Sequence, residues 1–193
     1  DQVLNGQDYQ VLVDAAVDVP AGAEGLMFLP YLAGERTPHM DSRARAGFVG
    51  LTLRHRMPHL VRSVMEGVVM GMRQGLELLV SSGIPIDTVV ASGGGTRHPL
   101  WLQLQADIYN RPIRRACTEE AAAVGAAMLA GLGLGIYPDV DDAIKHAVRW
   151  HPKVVEPDAF AAKLYAARYE AYCGMYPALR SVMHQLGESS ITA

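Results

Sequence analysis

The stretch that decides the fold runs from Ile86 to Tyr109 and reads IDTVVASGGGTRHPLWLQLQADIY. It opens on a short apolar run, IDTVVA, which predicts a buried strand. The small residues SGGG stop that strand, and Pro99 stands where a helix would begin. We therefore expect a strand, a glycine loop and a helix. A ligand can lie against bare backbone in such an arrangement, because glycine has no β-carbon to hold a flat ring away.

Two well-known glycine signatures do not fit this loop. A Walker loop requires Lys followed by Ser or Thr after its last glycine, whereas Thr96 and Arg97 follow here. The dinucleotide fingerprint requires a third glycine where His98 stands, so that Gly93 and Gly95 match only two of its three positions. Both signatures are excluded. A tight strand-to-helix turn that binds nothing stays open as an alternative.

Composition and charge bound the class of protein. The chain has 193 residues, of which 50% are hydrophobic and 19% charged, and this suits one domain over residues 1–193 with a sizeable core. The net charge of −3 gives no attraction to nucleic acid or to an anionic membrane. Neither kind of partner is expected.

Cysteine and histidine usage predicts a cytoplasmic protein without a metal site of its own. Cys117 and Cys173 match no metal or redox spacing and indicate free thiols in a reducing compartment. The seven histidines also form no metal spacing. The uncharged segment 121–138 is long enough to span a membrane, but it is mostly Ala and Gly, which argues against a membrane helix. The chain begins without methionine, so we expect a piece of a longer protein.

Strand and helix patterns alternate along the chain, which predicts an α/β fold with about four strands and five or six helices. The predicted strands cover residues 25–29, 47–53, 86–91 and 113–116. The predicted helices cover residues 8–19, 58–83, 99–109, a segment capped by Thr118, residues 139–148 and residues 158–186, followed by a polar tail over 187–193.

Two helices carry small residues that predict close packing. In helix 58–83, Gly67, Gly71 and Gly75 lie one turn apart, on a different face from apolar residues such as Met72 and Leu79. We expect this glycine face to pack closely against a sheet or a helix. A methionine-lined binding surface on this helix is the alternative. The helix after Thr118, AAAVGAAMLAG, is expected to lie almost in contact with its neighbour, with Glu119 and Glu120 in its first turn.

The segment between the first two strands, AGERTPHMDSRARA, is polar and interrupted by proline. It predicts a loop that holds Glu35, Arg36 and Thr37, with Asp41 further on. Loops of this kind carry function more often than packing does. Arg36 has two alternative interpretations: a contact with charge in a cleft, or an ordinary salt bridge with Glu35 or Asp41.

Several of these stretches, read together, resemble the C-terminal domain of the FGGY carbohydrate kinases, most of all the xylulokinases. The match covers nearly the whole chain, and its specificity lies in the order of the motifs. In chain order they are FLPYLAGERTP, DSRARAGFVGLTL, the helix containing Met65-Glu66-Gly67, SGGG, LWLQLQADI and VGAAMLAG.

The resemblance implies a ribonuclease H-like, actin-like domain with additional helices, and a whole protein with two such domains around ATP and a sugar. The implied reaction transfers the γ-phosphate of ATP to a sugar hydroxyl, with Mg²⁺ and an aspartate base. The resemblance further implies that Gly93, Gly94 and Gly95 contact the adenosine end of ATP and that His98 adds a polar contact, and we expect Glu35, Arg36 and Thr37 to face the cleft between the domains.

D-xylulose, and with it a place in xylose metabolism, is the first choice of sugar; gluconate or another ketose or polyol is the alternative. The family's N-terminal domain and its catalytic aspartate match nothing here, so no catalytic residue is assigned and the isolated chain is expected to be inactive. A non-catalytic, actin-like module that binds nucleotide is an alternative of a different class. A homodimer is one possible assembly.

Overall fold

The computed structural model describes residues 8–118 and 120–189, with the side chains of 187–189 left undescribed. The helices are α1 (Tyr9–Val17), α2 (Met57–Ser81), α3 (Pro99–Tyr109), α4 (Ala121–Gly133), α5 (Val140–Ala147) and α6 (Ala159–Ser189). The strands are β1 (Met27–Leu29), β2 (Gly47–Val49), β3 (Val89–Ala91) and β4 (Ile113–Arg115), and short 3₁₀ helices cover Ala23–Gly25 and Gly94–Arg97. The predicted α/β class is confirmed.

The four strands form two separate sheets in the described part of the chain. β1 and β2 pair antiparallel, with Met27 opposite Val49. β3 and β4 pair parallel, with Val89 opposite Ile113. All four strands are shorter than predicted, because an apolar sequence run is longer than the segment that finds a hydrogen-bonding partner. The pair β3–β4 is unusual for a parallel sheet, since Val90 at its centre is 52% exposed.

Helix α2 organises the first half of the molecule. Its glycine face lies against β1 so closely that a β-carbon on Gly67 would stand 2.1 Å from the carbonyl oxygen of Phe28. A β-carbon on Gly71 would stand 3.1 Å from the hydroxyl of Tyr172, whereas one on Gly75 would meet nothing within 4 Å. Close packing is therefore confirmed at the first two glycines and absent at the third.

The apolar face predicted for α2 is only partly buried. Met65 and Val69 lie in the core, but Met72 is 54% exposed and Leu79 is exposed as well. The reason is that α2 packs against β1 through its glycine face at Gly67, and this face is different from the one that carries Met72 and Leu79. Met72 and Leu79 are thereby left at the border of the packed region.

Helices α3 and α6 pack against each other and together supply much of the core. Leu104 and Ile108 of α3 are fully buried, as are Tyr165 and Tyr172 of α6. Tyr169 and Tyr176 of α6 are buried as well, so the tyrosines of this helix face inward. Helix α6 extends to Ser189, so the expectation of a polar tail from Gly187 is wrong for its first three residues, and residues 190–193 lie outside the described part. No helix within the described ranges is long and apolar enough to cross a bilayer.

One buried ionic cluster joins α2 to α6. The Glu66 carboxylate accepts hydrogen bonds from Arg62 Nε at 2.7 Å, from Tyr165 Oη at 2.6 Å and from the backbone N–H of Gly22 at 2.9 Å. Burial raises the pKa of the Tyr165 hydroxyl, so it remains a donor. The cluster thus connects the backbone at Gly22 and the last helix to α2.

Helix α4 differs from its prediction in two respects. It begins at Ala121 with Glu120 at the N-cap position and no side-chain cap, so Thr118 is not the cap. Glu119 lies outside the described residues. Its predicted close contact with a neighbour is present only at Gly131, which packs against Tyr137; a β-carbon on Gly125 or Gly133 would meet no described residue within 4 Å, and Leu129 is 70% exposed.

Candidate nucleotide site

The glycine loop lies directly after β3, as predicted. Gly93 has φ 84° and ψ −179°, a conformation essentially restricted to glycine. The next four residues, Gly94–Arg97, turn as a short 3₁₀ helix, and both the N–H and the hydroxyl of Thr96 donate to the Gly93 carbonyl oxygen, at 3.1 and 2.8 Å. The loop therefore has a fixed shape that needs glycine at its first position.

The space around the loop is open. A β-carbon built on Gly93, Gly94 or Gly95 would meet nothing within 4 Å, so these glycines are not required for packing against the rest of the described chain. This is the opposite of the situation at Gly67. Small residues beside open space are what a loop needs if a ligand is to approach its backbone.

Two cavities flank the end of β3 and share Val90 and Ser92. The first, of about 390 Å³, is lined by Met72, Val89, Val90, Ala91, Ser92, Gly95, Thr96, Trp101, Gln105 and Tyr109. The second, of about 230 Å³, lies against α4 and is lined by Val90, Ser92, Ala116, Thr118, Ala121, Val124, Gly125, Met128, Ile144, Val148 and Trp150.

The lining of both cavities is uncharged. Apolar side chains predominate, with hydroxyls from Ser92, Thr96, Tyr109 and Thr118 and one amide from Gln105. Such walls suit a flat, neutral ring that needs a few polar contacts for its orientation. They do not suit a triphosphate, which requires cations or clustered backbone N–H groups.

His98 has a structural task at the start of α3. Its Nδ1 accepts a hydrogen bond from the backbone N–H of Leu100 at 3.1 Å, and its Nε2 lies 3.0 Å from Asp14 Oδ1 of α1. Since Nδ1 accepts, the proton is on Nε2 and is donated to the carboxylate. Both ring nitrogens are thus engaged, and a contact of His98 with nucleotide would require one of these bonds to be exchanged.

The second predicted site segment closes into a compact loop. The backbones of Glu35 and Asp41 bond each other in both directions, with N···O distances of 2.9 and 2.7 Å. Within the loop, the Glu35 carboxylate accepts from the N–H of Thr37 at 2.8 Å, and the Thr37-Pro38 peptide is cis. Arg36 is exposed and, among the described residues, makes no salt bridge with Glu35 or Asp41, so that alternative is not what the structure contains.

Both predicted segments border the same side of α2. A cavity of about 330 Å³ lies beside the loop and is lined by Pro30, Glu35, Thr37, Val68, Gly71, Met72 and Gly75. Met72 also lines the larger cavity next to the glycine loop. The exposed side chain of Met72 thus separates two neighbouring cavities on this side of α2. One cavity is lined by Glu35 and Thr37, and the other lies next to the glycine loop. Sequence periodicity placed Met72 on the apolar face of α2, and the structure leaves it 54% exposed between these two cavities.

The carboxylates closest to these segments serve as structural acceptors. Asp41 is buried, and the hydrogen bonds that it accepts from Tyr176 and His184 hold its pKa well below the usual range. Asp107 accepts from Gln103 Nε2 and from the N–H of Asp158, both at 2.8 Å, while burial raises its pKa. Neither acid lines any of the three cavities beside α2 and β3. In the described ranges no three His, Cys, Asp or Glu residues are grouped so as to hold a metal ion.

Comparison with known proteins places this arrangement in a family. A sequence profile for the FGGY family of carbohydrate kinases, C-terminal domain, matches residues 4–134. The chain is 34% identical over 170 residues to the xylulose kinase of Bacillus subtilis (strain 168), covering 88% of this chain and 34% of the relative. It is 38% identical over 164 residues to the erythritol kinase of Brucella abortus (strain 2308), covering 83% of this chain and 31% of that protein.

Solved structures agree with the sequence relatives. The crystal structure of a ligand-bound xylulose kinase from Lactobacillus acidophilus superimposes with a TM-score of 0.87 at 31% identity, covering 94% of this chain and 37% of that one. A gluconate kinase from the same organism gives a TM-score of 0.86 at 31% identity, covering 94% and 36%. The chain thus spans about a third of the length of these relatives. Its fold is the actin-like, ribonuclease H-like fold of these sugar kinases, and the chain belongs to the FGGY family of carbohydrate kinases, within its C-terminal domain.

Proposed function

We propose that this chain is the nucleotide-side domain of a sugar kinase that transfers the γ-phosphate of ATP to D-xylulose, and that it folds as a single domain. The observation that carries the proposal is the open glycine loop that follows β3, since two uncharged cavities share the end of that strand and the larger one is lined by Gly95. Relatives named xylulose kinase support the reaction and the first choice of sugar. The free thiols Cys117 and Cys173 support a cytoplasmic location.

The adenine ring is the part of ATP that this chain fits. Gly93, Gly94 and Gly95 would offer backbone to one face of the ring, and hydroxyls such as that of Ser92 would fix its orientation. ATP supplies the phosphoryl group, but the uncharged lining means that these cavities bind the base and leave the phosphates to other groups.

We propose that the Mg²⁺ ion of the reaction is held by groups outside the described part of this chain. Phosphoryl transfer uses Mg²⁺ to neutralise charge on the phosphates, and carboxylates near the phosphates hold the ion. The described residues contain no cluster suited to this. We assign the Mg²⁺ ligands and the base to the remaining two thirds of a protein of the relatives' length.

That remaining part would cover the exposed side of α2. Met72 is half exposed between two cavities, and Val90 is exposed at the centre of a two-stranded parallel sheet. Parallel sheets are normally covered on both faces, so this surface requires a partner. In such an assembly Glu35, Arg36 and Thr37 would face the cleft, and domain closure would bring them toward the substrates.

The first experiment tests the reaction and the sugar together. Full-length enzyme is assayed for ADP release with ATP, Mg²⁺ and a panel comprising D-xylulose, erythritol and gluconate. We expect the highest kcat/KM with D-xylulose. A preference for another member of the panel would correct the sugar, and ATP binding without turnover on any sugar would favour the non-catalytic nucleotide-binding module.

Arg36 provides a sharper test of the cleft loop. Because we propose that Arg36 faces the cleft, Arg36→Ala should lower kcat/KM by about tenfold, equivalent to about 1.4 kcal/mol. The melting temperature should barely change, because the side chain is exposed in a loop that buries no apolar residue at that point. Arg54→Ala removes another exposed arginine outside the loop and serves as the control. A lowered melting temperature with normal kinetics would contradict a role in the cleft.

A further inference from the structure

The base of the loop 35–41 is anchored by one buried carboxylate. Asp41 Oδ2 accepts hydrogen bonds from the hydroxyl of Tyr176 and from Nε2 of His184, and Asp41 Oδ1 accepts from the N–H of Arg43 at 2.9 Å. Arg180 Nε lies 3.8 Å from Oδ2 at the exposed edge of the contact. Three side chains of α6 therefore converge on a single carboxylate of the loop.

The spacing on α6 explains this convergence. Tyr176, Arg180 and His184 are four residues apart, so they form one stripe along the helix. A second contact reinforces the stripe, because the ring of Tyr176 stacks on that of His39 with centroids 4.0 Å apart. The last turns of α6 thus hold the loop at two points.

The loop has little other means of keeping its position. Arg36, Thr37, Pro38 and Met40 are all exposed, so no apolar side chain at its tip packs into the core. The Glu35–Asp41 backbone bridge closes the loop but does not fix it relative to α2. Its placement beside the cavity at Met72 therefore depends on the groups that hold Asp41 and His39.

We propose that Asp41, Tyr176 and His184 are positioning residues that set the Glu35-Arg36-Thr37 segment at the cleft through their shared hydrogen-bond network. The inference rests on the proposed kinase function and deepens it. Catalysis of phosphoryl transfer depends chiefly on positioning. A small shift of this loop therefore lowers the rate of the reaction even when the protein stays folded. The far end of α6 thereby acts on the reaction without touching the substrates.

The test compares two Tyr→Phe variants on the same helix in the full-length kinase. Tyr176→Phe removes the donor to Asp41 and keeps the ring that stacks on His39. Tyr165→Phe removes a buried hydroxyl bonded to Glu66 at 2.6 Å, away from the loop. We expect both to lower the melting temperature, but only Tyr176→Phe to lower kcat/KM, by about tenfold and mainly through kcat.

A second pair of variants keeps the test informative if Tyr176→Phe folds poorly. His184→Ala removes the other donor, whereas His184→Gln can place an amide N–H near the position of Nε2. We expect the alanine variant to lose activity and the glutamine variant to recover most of it. Equal kinetics for Tyr176→Phe and Tyr165→Phe, or for the two His184 variants, would overturn the proposal while leaving the kinase function intact. An inactive wild-type protein would instead overturn the proposed function itself.

The network also has a signature in acid. The pKa of Asp41 is depressed in the folded protein, so its carboxylate binds a proton more readily in the unfolded chain. The contribution of Asp41 to stability is therefore present above its unfolded pKa of about 4, and it is lost as the pH falls from there toward the lower folded pKa. The charged and titratable groups that face it are Glu35 and His39 of the loop, Arg43 just after the loop, and Tyr176, Arg180 and His184 of α6. Asp41→Asn should flatten the acid limb of the stability curve, and an unchanged limb would contradict the network.

Discussion

Glycines serve two opposite purposes in this molecule, and the contrast between α2 and the loop after β3 separates them. At Gly67 a single methyl group would strike the backbone of β1, with 2.1 Å to the Phe28 carbonyl oxygen. At Gly94 the same methyl would meet nothing within 4 Å. Gly67 allows two parts of the protein to come into contact, whereas Gly94 borders space that the described residues do not fill, where we propose that the adenine ring lies.

The difference teaches that a glycine's role is decided by its neighbours and not by its local pattern. In the sequence, the regularly spaced glycines of α2 and the three consecutive glycines of the loop both indicate that the backbone needs glycine there. Substitution separates the two cases, because a packing glycine should affect stability and a ligand-facing glycine should affect binding.

The largest effect is expected from Gly67→Ala. The Phe28 carbonyl is backbone, so α2 and β1 must move apart to admit a methyl group, and overpacking of this kind costs about 3 kcal/mol of unfolding free energy. Denaturant unfolding of the full-length protein measures the loss. A variant as stable as wild type would show that α2 and β1 are not in contact in solution.

The next effect is expected from Gly94→Val, which should weaken ATP binding by more than about tenfold in the full-length protein, or about 1.4 kcal/mol, because the branched side chain would occupy the space proposed for the ring. Stability should change much less, since the loop is exposed. Gly174→Val, at an exposed site on α6 with nothing within 4 Å of the new β-carbon, is the control. Calorimetric titration that finds equal ATP affinity in both variants would rule out the adenine assignment.

The smallest effect, and of opposite sign to the first, is expected from Gly75→Ala. This glycine lies on the same helix as Gly67 but faces open space, so alanine should raise the unfolding free energy by up to about 1 kcal/mol through better helix propensity. A loss as large as that of Gly67→Ala would mean that another part of the full-length protein packs closely at this point.

Sequence patterns predicted the elements of this fold well where the pattern is local. The glycine loop and the helix that begins at Pro99 both follow from short-range signals. The exposed position of Met72 could not be predicted in this way, because it depends on how closely Gly67 approaches β1.

The same limit applies to the candidate site. Glu35 and the glycine loop lie far apart in sequence, and only α2 brings them to a common side through Met72. The capping role of His98 requires Asp14, and the anchoring of Asp41 requires a helix more than a hundred residues away. Such long-range pairings leave no periodic trace in a single sequence.

The two tryptophans of this chain line different cavities: Trp101 the cavity beside the glycine loop, and Trp150 the cavity beneath α4. Indole fluorescence is sensitive to polarity and to stacked rings, so the molecule contains an intrinsic optical reporter at each of the two places where a base could lie. Trp101 donates its Nε1 proton to Tyr9 of α1, whereas the ring of Trp150 lies under the guanidinium of Arg114, and these different surroundings give the two emissions distinct starting points. In a nucleotide titration, a change in the fluorescence of Trp101 would therefore indicate binding beside the glycine loop, and a change in that of Trp150 would indicate binding beneath α4.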